Sequence, residues 1–371
     1  MLSRLRNEID AIDKQILDLF EQRMDVAKQV GDYKNERGLP IFVPDREQAV
    51  IESRVAALKN PEYRDLTVDF FTDLMALSRR LQQKGSQDTL SFSPAVEKPR
   101  VAYLGRPGSN SAEALSHMFP DASVSTASES FDGIFKLLNN GEADYGVLPI
   151  ENTSTGAITD VFDLLYRNNL YIVSEAFMKI EFVLAAPSGA TLNSIRQVYS
   201  HPQGFLQCAD FLGSLENLEE KTPLASTADS ALFVAEEKDI TKAAIVSPKA
   251  AELYGLVTLA ENIQSSKGNT TRFVAVARQM EEHPGADKIS IAFTLRHESG
   301  SLCKVLSAFS RHGLNLLYIE SRPLPGRNFE YMFFTDFSGS LATQSVKEAM
   351  AEIKELSSSL QILGNYPSAR E

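Results

Sequence analysis

Apolar residues along the first 84 positions recur at intervals of 3, 4 or 7, which is the repeat of an α-helix. They are Leu2, Leu5, Ile9, Ile12, Ile16, Leu19, Val26 and Val30. The first proline is Pro40 and the first glycine is Gly31, so the pattern predicts one helix over 2–35 and further helices over about 44–59 and 62–84. At about 1.5 Å per residue the first helix is about 50 Å long, but a compact domain of this size is about 30 Å across. We therefore expect this helix to pair with a second copy of the chain.

Residues 100–280 alternate short β-rich runs with helix-periodic runs. The β-rich runs are 101–104, 145–150, 171–175, 180–185, 197–200, 243–246 and 272–277. The helical runs between them are 111–118, 130–139, 158–167, 204–214 and 228–237. The alternation predicts an α/β domain with mostly parallel strands, long enough for two lobes that face each other across a cleft. Ligands of such sheets bind beyond the carboxyl ends of the strands.

The C-terminal residues follow a β-α-β-β-α-β order, which is typical of a ferredoxin-like α+β fold. The predicted elements, in that order, are 288–295, 301–312, 314–321, 328–337, 341–356 and 360–365. Residues 85–99 mix glycine, serine, proline and charge without periodicity, which is typical of a linker. The predicted domains are therefore 1–84, 100–280 and 286–371.

Composition narrows the classes of function. The chain carries 37 Lys and Arg against 49 Asp and Glu, a net charge of −12, which disfavours binding to nucleic acid or to an anionic membrane surface. It has no apolar run of the about 20 residues that span a bilayer, and its charged N-terminus is unlike a signal peptide. Cys208 and Cys303 are isolated, and the five histidines have no metal-ligand spacing. We expect a cytoplasmic protein that needs no metal and no cofactor.

The first helix carries two cations on one face. Arg23 and Lys34 are 11 positions apart, so they lie within about 20° of each other around the helix. Ala27 and Val30 lie between them, and Gly31 lies at the edge of this stripe. Two cations beside small residues are suited to binding a small dianion.

Four segments of the helical region resemble the all-helical chorismate mutase family. They are LRNEIDAID, EQRMDVAKQVGDYK, PDRE and SRRLQQ. The resemblance implies that Arg23 and Arg6 of the partner subunit bind the two carboxylates of chorismate, while Arg46 supports the site. Arg6 is about 25 Å from Arg23 along the helix, which is why it would act on the site of the other copy.

The same resemblance implies roles for four more polar residues. Lys34 and Gln82 would donate hydrogen bonds to the ether oxygen, and Glu47 and Ser78 would contact the ring hydroxyl or the main-chain end of the pocket. The reaction is a one-step rearrangement without proton transfer, so the enzyme can only hold the reactive conformer and stabilise charge on the breaking bond.

Polar motifs follow several strands of the middle domain, and each taken alone is explained as a turn or a helix cap. Together GRPGSNSAEA, GVLPIENTSTG, YSHPQGFLQC, ASTADSA and NTTRF resemble prephenate dehydratase, in order and over the whole domain. The resemblance implies that Thr271 donates a hydrogen bond to the departing hydroxyl, with assistance from Ser200 and Gln207. His201 precedes a proline and is interpreted as structural.

The resemblance also implies which residues shape the substrate cleft. Glu151, Asn152 and Thr153 would line it, and Arg272 would be the counter-charge for a substrate carboxylate. It leaves two substrates open for this domain, prephenate and its aminated relative arogenate.

The C-terminal segment GLNLLYIESRP, with GSLC at the preceding helix start, resembles the phenylalanine-responsive form of the ACT regulatory domain. The resemblance implies that phenylalanine binds between two such domains. The residues expected to bind it are Gly300, Ser301, Leu302, Glu320, Ser321, Arg322 and Pro323. A dimerisation module without a ligand is the alternative for this domain.

The three resemblances together imply a bifunctional enzyme of phenylalanine biosynthesis that is inhibited by L-phenylalanine and forms at least a homodimer. Its expected fold is multidomain, with an all-α mutase domain, a two-lobed α/β dehydratase domain like periplasmic binding proteins, and a ferredoxin-like ACT domain. One alternative is a dehydratase whose helical domain only dimerises or senses a ligand. Another is a binder without catalysis, since two-lobed α/β domains often serve only to capture ligands.

Overall fold

The computed structural model describes residues 2–37, 39, 44–84, 92–266, 268–295, 298–324 and 331–369. Contacts within the chain divide it into two compact units, Met1–Ser91 and Phe92–Glu371. Part of the predicted linker, residues 85–91, lies outside the described residues. No helix in the described ranges is both long enough and apolar enough to cross a membrane.

The first unit is helical, as predicted. Its elements are α1 (Leu2–Glu36), α2 (Pro44–Ala56), a 3₁₀ turn (Pro61–Tyr63) and α3 (Arg64–Lys84). The second helix ends three residues before the predicted position. The following turn has its own start signal, because the Asn60 side chain accepts a hydrogen bond from the Glu62 N–H at 3.1 Å and Pro61 opens the turn.

Helices α1 and α3 pack along a stripe of small residues. Ala27 and Gly31 of α1 are buried, as are Leu74 and Met75 of α3. A Cβ atom added at Gly31 would lie 2.8 Å from the Cβ and Cγ atoms of Gln82, so this close approach of the two helices requires glycine. Val30, expected within the stripe, is instead exposed.

Much of the apolar face that the sequence predicts for α1 is uncovered within one chain. The exposed residues are Leu2, Leu5, Ile9, Ile12, Ile16, Leu17, Leu19, Val26 and Val30. A contiguous apolar face of this kind on a soluble helix marks a contact surface.

The second unit begins with a two-lobed α/β domain. The first lobe contains β1 (Phe92–Ser93), β2 (Arg100–Leu104), α4 (Asn110–Met118), β3 (Val124–Ser128), α5 (Phe131–Asn139), β4 (Tyr145–Asn152), β5 (Gly156–Ala157), α6 (Thr159–Asn168) and β6 (Tyr171–Lys179). The second lobe contains β7 (Val183–Ala186), a 3₁₀ turn (Leu192–Ser194), β8 (Gln197–Ser200), α7 (Pro202–Gln207), α8 (Ala209–Gly213), β9 (Glu220–Pro223), α9 (Thr227–Glu237), β10 (Lys242–Val246), α10 (Pro248–Leu253) and β11 (Val257–Ala260). The chain then returns to the first lobe as β12 (Thr270–Ala277) and β13 (Met280–Glu281).

In the main sheet of each lobe one strand is antiparallel to both of its neighbours. The short β5 also pairs antiparallel with the end of β4, and β1 and β13 form a separate two-stranded sheet. The first sheet has the order β3-β2-β4-β12-β6 and the second β11-β7-β10-β8-β9. The opposed strands, β12 and β7, are those that follow a crossing between the lobes. They therefore begin at the sheet edge where their neighbours end. The start of β12 and the end of β4 meet there, with Thr271 paired to Asn152.

The remaining elements form the ferredoxin-like domain in the predicted order. They are β14 (Lys288–Thr294), α11 (Ser301–Arg311), β15 (Leu316–Pro323), β16 (Tyr331–Ser338), α12 (Gln344–Leu356) and β17 (Ser359–Tyr366). Its antiparallel sheet has the order β15-β16-β14-β17.

The ferredoxin-like sheet shares a hydrophobic core with the first lobe. Phe334, Leu363 and Tyr366 belong to the same buried cluster as Phe162 and Ile172. A Cβ atom at Gly364 would lie 2.2 Å from the Ile172 carbonyl oxygen, so the two backbones approach as closely as glycine allows. The predicted multidomain fold class is confirmed.

Candidate active sites

In the first unit, a hydrogen bond brings together two predicted site residues that are 55 positions apart. The Arg23 Nη1 atom donates to Ser78 Oγ at 2.5 Å, and Ser78 Oγ donates to the Leu74 carbonyl oxygen at 2.8 Å. Ser78 is buried and Arg23 is half-buried. The serine thus holds the arginine at the contact between α1 and α3.

Other predicted residues lie along the same helix contact. Gln82 is one turn beyond Ser78 on α3 and faces Gly31. Lys34 is three positions after Gly31 on α1, and both Lys34 and Gln82 are half-buried. Arg23, Lys34, Ser78 and Gln82 therefore form a polar row at this contact, which we call the helix seam.

Three predicted residues lie away from the helix seam. Arg46 and Glu47 stand at the start of α2, where Arg46 is exposed and Glu47 is half-buried. Arg6 is exposed on α1, 17 positions before Arg23 and hence about 25 Å from it along the helix. One copy of the chain does not bring Arg6 to the helix seam.

A further cation near the helix seam, Arg54, was not predicted from the sequence. Burial and, to a lesser degree, the nearby charge of Arg54 lower the pKa of Arg23. Two guanidinium groups close together repel each other, and a bound dianion would offset that repulsion. Arg54 lies ten residues after the predicted start of its helix, and only the packing of α2 brings it near α1.

In the α/β domain, a chain of hydrogen bonds crosses from one lobe to the other. Asn152 Nδ2 donates to Thr271 Oγ1 and to Asn269 Oδ1, both at 2.8 Å. Asn269 Nδ2 donates in turn to Gln207 Oε1 at 3.0 Å. Predicted residues Thr271, Asn152 and Gln207 are thereby joined, with Asn269 as the link that was not predicted. Its position within NTTRF was the available signal.

The hydroxyl of Thr271 is set up as a donor. Its oxygen accepts a hydrogen bond from Asn152, and no group within the described residues accepts the hydrogen of the hydroxyl itself. Thr271 is 7% exposed, so this hydrogen lies in a largely dry environment at the start of β12. Asn152 is fixed in turn, because its Oδ1 atom accepts from the Ser154 and Thr155 N–H groups at 2.8 and 3.1 Å.

Three other predicted residues have mainly structural contacts. Ser200 is fully buried and donates to the Ile245 carbonyl oxygen at 3.1 Å, so it does not line an open cleft. Thr153 is exposed, and its Oγ1 atom accepts from the Thr270 N–H at 2.9 Å. His201 Nδ1 accepts from the Gln203 N–H at 3.2 Å and caps α7, and burial lowers its pKa, which agrees with a structural role.

Glu151 and Arg272 differ in their surroundings. Glu151 is half-buried next to Asn152, and burial is the main cause that raises the pKa of its carboxyl. Arg272 is 4% exposed and pairs with Glu175 and Asp336, with N–O distances of 2.7 and 2.6 Å. Direct contact with a substrate carboxylate would require Arg272 to leave these partners.

An ion pair that the sequence did not predict also joins the lobes. Arg106 Nε lies 2.5 Å from Asp229 Oδ1. Nearby, Tyr254 Oη donates to the Pro107 carbonyl oxygen at 2.9 Å and Ser247 Oγ donates to that of Gly108 at 3.3 Å. Both charged residues lie in motifs that carry the dehydratase resemblance, GRPGSNSAEA and ASTADSA, but neither motif shows which residues pair.

The residues expected to bind phenylalanine fall into two segments at one end of the ferredoxin-like sheet. Gly300 has φ of +80° at the start of α11, Ser301 Oγ donates to the Glu298 carbonyl oxygen at 2.9 Å, and Leu302 packs on the domain core. On β15, Arg322 is opposite Met332, which pairs with the last residue of β14.

Strand β15 also contacts the α/β domain. Arg322 Nη2 donates to Asp163 Oδ2 on α6 at 2.9 Å. One residue before Asp163, Phe162 stacks on Tyr318 with ring centroids 5.8 Å apart. Glu320, between Tyr318 and Arg322 on this face, is half-buried, and Ser321 and Pro323 are exposed. The expected regulatory strand thus touches the helix that follows the Glu151 loop.

Comparisons with known proteins agree with this architecture. The matching family models are chorismate mutase type II over residues 5–83, prephenate dehydratase over residues 101–281 and the ACT domain over residues 289–355. The bifunctional chorismate mutase/prephenate dehydratase of Aquifex aeolicus (strain VF5) is 32% identical over 373 residues, which cover 99% of this chain and 98% of that protein.

Solved structures match the second unit. Prephenate dehydratase from Arthrobacter aurescens in complex with L-Phe is 31% identical, with a TM-score of 0.67, and the match covers 73% of this chain and 90% of that chain. GqqA, described as a novel type of quorum-quenching acylase, is 28% identical, also with a TM-score of 0.67, over 73% of this chain and 98% of that chain.

The folds and the matched domains define a multidomain enzyme of aromatic amino acid biosynthesis, with a mutase domain, a dehydratase domain and an ACT domain. More narrowly, the chain belongs to the family of bifunctional chorismate mutase/prephenate dehydratases. The family predicted from the sequence motifs is confirmed.

Proposed function

We propose that the chain catalyses two consecutive steps, in which the helical domain converts chorismate to prephenate and the α/β domain converts prephenate to phenylpyruvate. The observation that supports this most strongly is the hydrogen-bonded chain from Thr271 through Asn152 and Asn269 to Gln207. It gathers uncharged donors from both lobes at the sheet edge where ligands of α/β domains bind.

For the mutase step, the helix seam supplies charges and fixed donors to a reaction that needs no proton transfer. Arg23 binds one carboxylate of chorismate, while Lys34 and Gln82 donate hydrogen bonds to the ether oxygen as its bond stretches. Ser78 supports this by holding Arg23 in place, with a hydrogen bond of 2.5 Å. Such preorganised donors need not reorient as charge develops in the transition state.

A second copy of the chain completes the mutase site. The exposed apolar face of α1 provides the contact surface, and in an antiparallel pairing Arg6 of the partner subunit reaches the second carboxylate. Arg46 and Glu47, at the start of α2, close the site near the ring hydroxyl. The proposed assembly is therefore at least a homodimer.

For the dehydratase step, the C4–O bond of prephenate breaks, and the departing hydroxyl takes up a proton from solvent and leaves as water. The bond between the ring and its carboxylate breaks at the same time, and carbon dioxide leaves. The electron pair of that bond stays with the ring and makes it aromatic. Thr271 donates its hydrogen bond to the departing hydroxyl. Aromatisation supplies much of the driving force, so a well-placed weak donor suffices.

The neighbours of Thr271 have supporting roles in this step. Asn152 orients the threonine directly, Gln207 assists from the other lobe through its contact with Asn269, and Glu151 lines the cleft beside them. Ser200 and Thr153 act indirectly. Ser200 fixes the end of β8 through its bond to the Ile245 carbonyl oxygen, and Thr153 fixes the start of β12 through its bond to the Thr270 N–H.

L-Phenylalanine inhibits the enzyme by binding at the ACT domain, at the segments 300–302 and 320–323. Arg322 and Tyr318 support this, because they connect β15 directly to α6 of the dehydratase domain. The effector can act only if it binds the less active state more tightly.

The test is to follow chorismate through prephenate to phenylpyruvate with the full chain, with and without millimolar L-phenylalanine. The proposal expects transient prephenate, then phenylpyruvate, and a slower second step when phenylalanine is present. Consumption of prephenate but not of chorismate would support the dehydratase-only alternative. Binding of prephenate without turnover would support the non-catalytic alternative, and arogenate in parallel assays decides the preferred substrate.

A further inference from the structure

Four charged side chains are buried where the dehydratase sheet meets the ACT sheet. Glu175 lies on β6 and Arg272 on β12, whereas Lys288 lies on β14 and Asp336 on β16. Their side chains are 0%, 5%, 8% and 6% exposed. Charges are rarely buried to this extent unless they are paired, so this set, which we call the interface cluster, must be internally balanced.

The guanidinium of Arg272 is engaged at each of its nitrogen atoms. Nε donates to Glu175 Oε2 at 2.7 Å, Nη2 donates to Tyr366 Oη at 3.0 Å, and Nη1 lies 2.6 Å from Asp336 Oδ2. Lys288 Nζ donates to both oxygens of Glu175, at 2.8 and 2.9 Å. Two cations thus meet two carboxylates, and the interface cluster is neutral without any further group.

A third carboxylate adjoins the interface cluster from the active-site side. Glu151 Oε2 lies 3.9 Å from Arg272 Nη1, the same nitrogen that Asp336 approaches to 2.6 Å. Asp336 is itself held, since its Oδ1 atom accepts from Ser290 Oγ at 2.5 Å. One guanidinium nitrogen therefore stands between a carboxylate of the dehydratase cleft and a carboxylate of the ACT domain, and the ACT carboxylate is closer.

We propose that Arg272 is a positioning residue rather than a substrate ligand, and that Asp336 of the ACT domain holds its guanidinium away from Glu151. This inference rests on the proposed dehydratase function. It gives the ACT domain a direct electrostatic influence on the cleft, because any displacement of β16 changes how much of the Arg272 charge Glu151 experiences. The first residues of β12, including Thr271, are fixed by the same contacts.

The groups that face Glu151 come from five strands. Arg272 is on β12, Asp336 on β16, Lys288 on β14, Glu175 on β6 and Tyr318 on β15. Burial is the largest cause that raises the pKa of Glu151, the positive charges of Arg272 and Lys288 lower it, and the negative charges of Asp336 and Glu175 raise it further. Loss of the Asp336 charge would therefore lower the pKa of Glu151.

The test is the pH dependence of kcat/KM for the dehydratase reaction of the full chain. Glu151→Gln identifies the limb of the profile that belongs to Glu151, since that limb disappears. In Asp336→Asn, this limb should move to lower pH by about half a unit to one unit, as expected for removal of a nearby like charge. Lys288→Gln removes a positive charge from the same cluster and should move the limb to higher pH.

Tyr366→Phe is the matched control, because it removes a hydrogen bond from the same guanidinium without changing the charge. Burial raises the pKa of the Tyr366 phenol far above its usual range, so this group is neutral in the assay. The limb should stay in place in this variant, whatever happens to kcat. Circular dichroism confirms that each variant is folded, and the opposite shift of Lys288→Gln tests the proposal if Asp336→Asn does not fold.

The outcomes separate the inference from the proposed function. Wild-type protein without dehydratase activity would refute the function. An active wild type whose profile has no limb that depends on Glu151 would overturn the inference. So would equal shifts in Asp336→Asn and Tyr366→Phe, or the same direction of shift in Asp336→Asn and Lys288→Gln.

Discussion

The helix seam and the dehydratase cleft differ in the chemistry that they offer to an anionic substrate. At the helix seam the half-buried Arg23 and Lys34 supply positive charge, and the charge of Arg54 lies near Arg23. In the dehydratase cleft the central contacts are between amides and a hydroxyl, and the nearby arginine is already paired with carboxylates. In the proposed function, the same chain therefore holds one substrate mainly by charge and activates the next mainly by neutral hydrogen bonds.

The difference follows from the two reactions. A rearrangement without proton transfer gains from fixed positive charge around a dianion, whereas loss of a hydroxyl gains from a donor next to the breaking bond. It also follows from the proposed assembly, in which a second copy of the chain completes the mutase site, whereas the dehydratase residues all lie within one chain.

The largest effect is expected from loss of the Arg23 charge. Arg23→Met keeps the aliphatic stem but removes the guanidinium that Ser78 holds, so mutase kcat/KM should fall by about 10²- to 10³-fold. Dehydratase activity, measured with prephenate on the same preparation, should be unchanged. Arg4→Met is the matched control, because Arg4 is an exposed arginine of the same helix. A normal mutase in Arg23→Met would contradict the charge-based half of the comparison.

A smaller but still large effect is expected at Thr271. Thr271→Val keeps the shape but removes the hydroxyl that accepts from Asn152, so dehydratase kcat should fall by about 10²-fold. Mutase activity should not change. Thr270→Val is the control, since Thr270 is the preceding residue and is only half-buried. If Thr271→Val keeps normal turnover, a neutral donor at this position is not part of the mechanism.

Local patterns predicted the elements of these sites better than their contacts. Helix periodicity predicted α1 and α3. It also predicted which helix face carries Ala27, Ser78 and Gln82, because the position of a residue within a turn sets its face. The resemblance of the motifs to prephenate dehydratase predicted Asn152 and Thr271 as site residues, and the structure pairs them at the end of β4 and the start of β12. The alternation of β-rich and helical runs also predicted an α/β domain of two lobes. Because the parallel strands end at one sheet edge, a ligand cleft was expected there.

The interface cluster could not be predicted in the same way. Glu175 and Arg272 are 97 positions apart and Glu175 and Lys288 are 113 apart, so only the packing of two sheets brings them together. Each is a charged residue within the buried part of its strand, such as Glu175 between Val173 and Ala176 in YIVSEAFMK, and that anomaly was the one local signal. It shows that a partner is needed, but it does not show where the partner lies.

If two chains share each mutase site, as proposed, two different inactive variants should recover part of the mutase activity when they form a dimer together. In a dimer whose sites combine Arg23 with Arg6 of the partner subunit, an Arg6→Ala chain paired with an Arg23→Ala chain has one intact site out of two. Random mixing gives heterodimers for half of the molecules, so about a quarter of the wild-type mutase activity should return. The measurement is mutase activity after the two variants are unfolded and refolded together, with each refolded alone as control. No recovery, when size measurements show that dimers form, would contradict the shared site.

The smallest effect is expected from pH on the mutase. Gln82 donates its amide hydrogens at any pH, and arginine stays protonated in proteins even where burial lowers its pKa, as it does for Arg23. Mutase activity should therefore be nearly flat from about pH 6 to 9.

The dehydratase should be the more pH-dependent of the two activities, because burial raises the pKa of Glu151 beside its donors. Both profiles can be recorded on one preparation, with circular dichroism to detect unfolding. A steep loss of mutase activity in this window, without unfolding, would mean that a titrating group replaces Gln82 as donor, and the contrast between charge binding and neutral donation would then have to be redrawn.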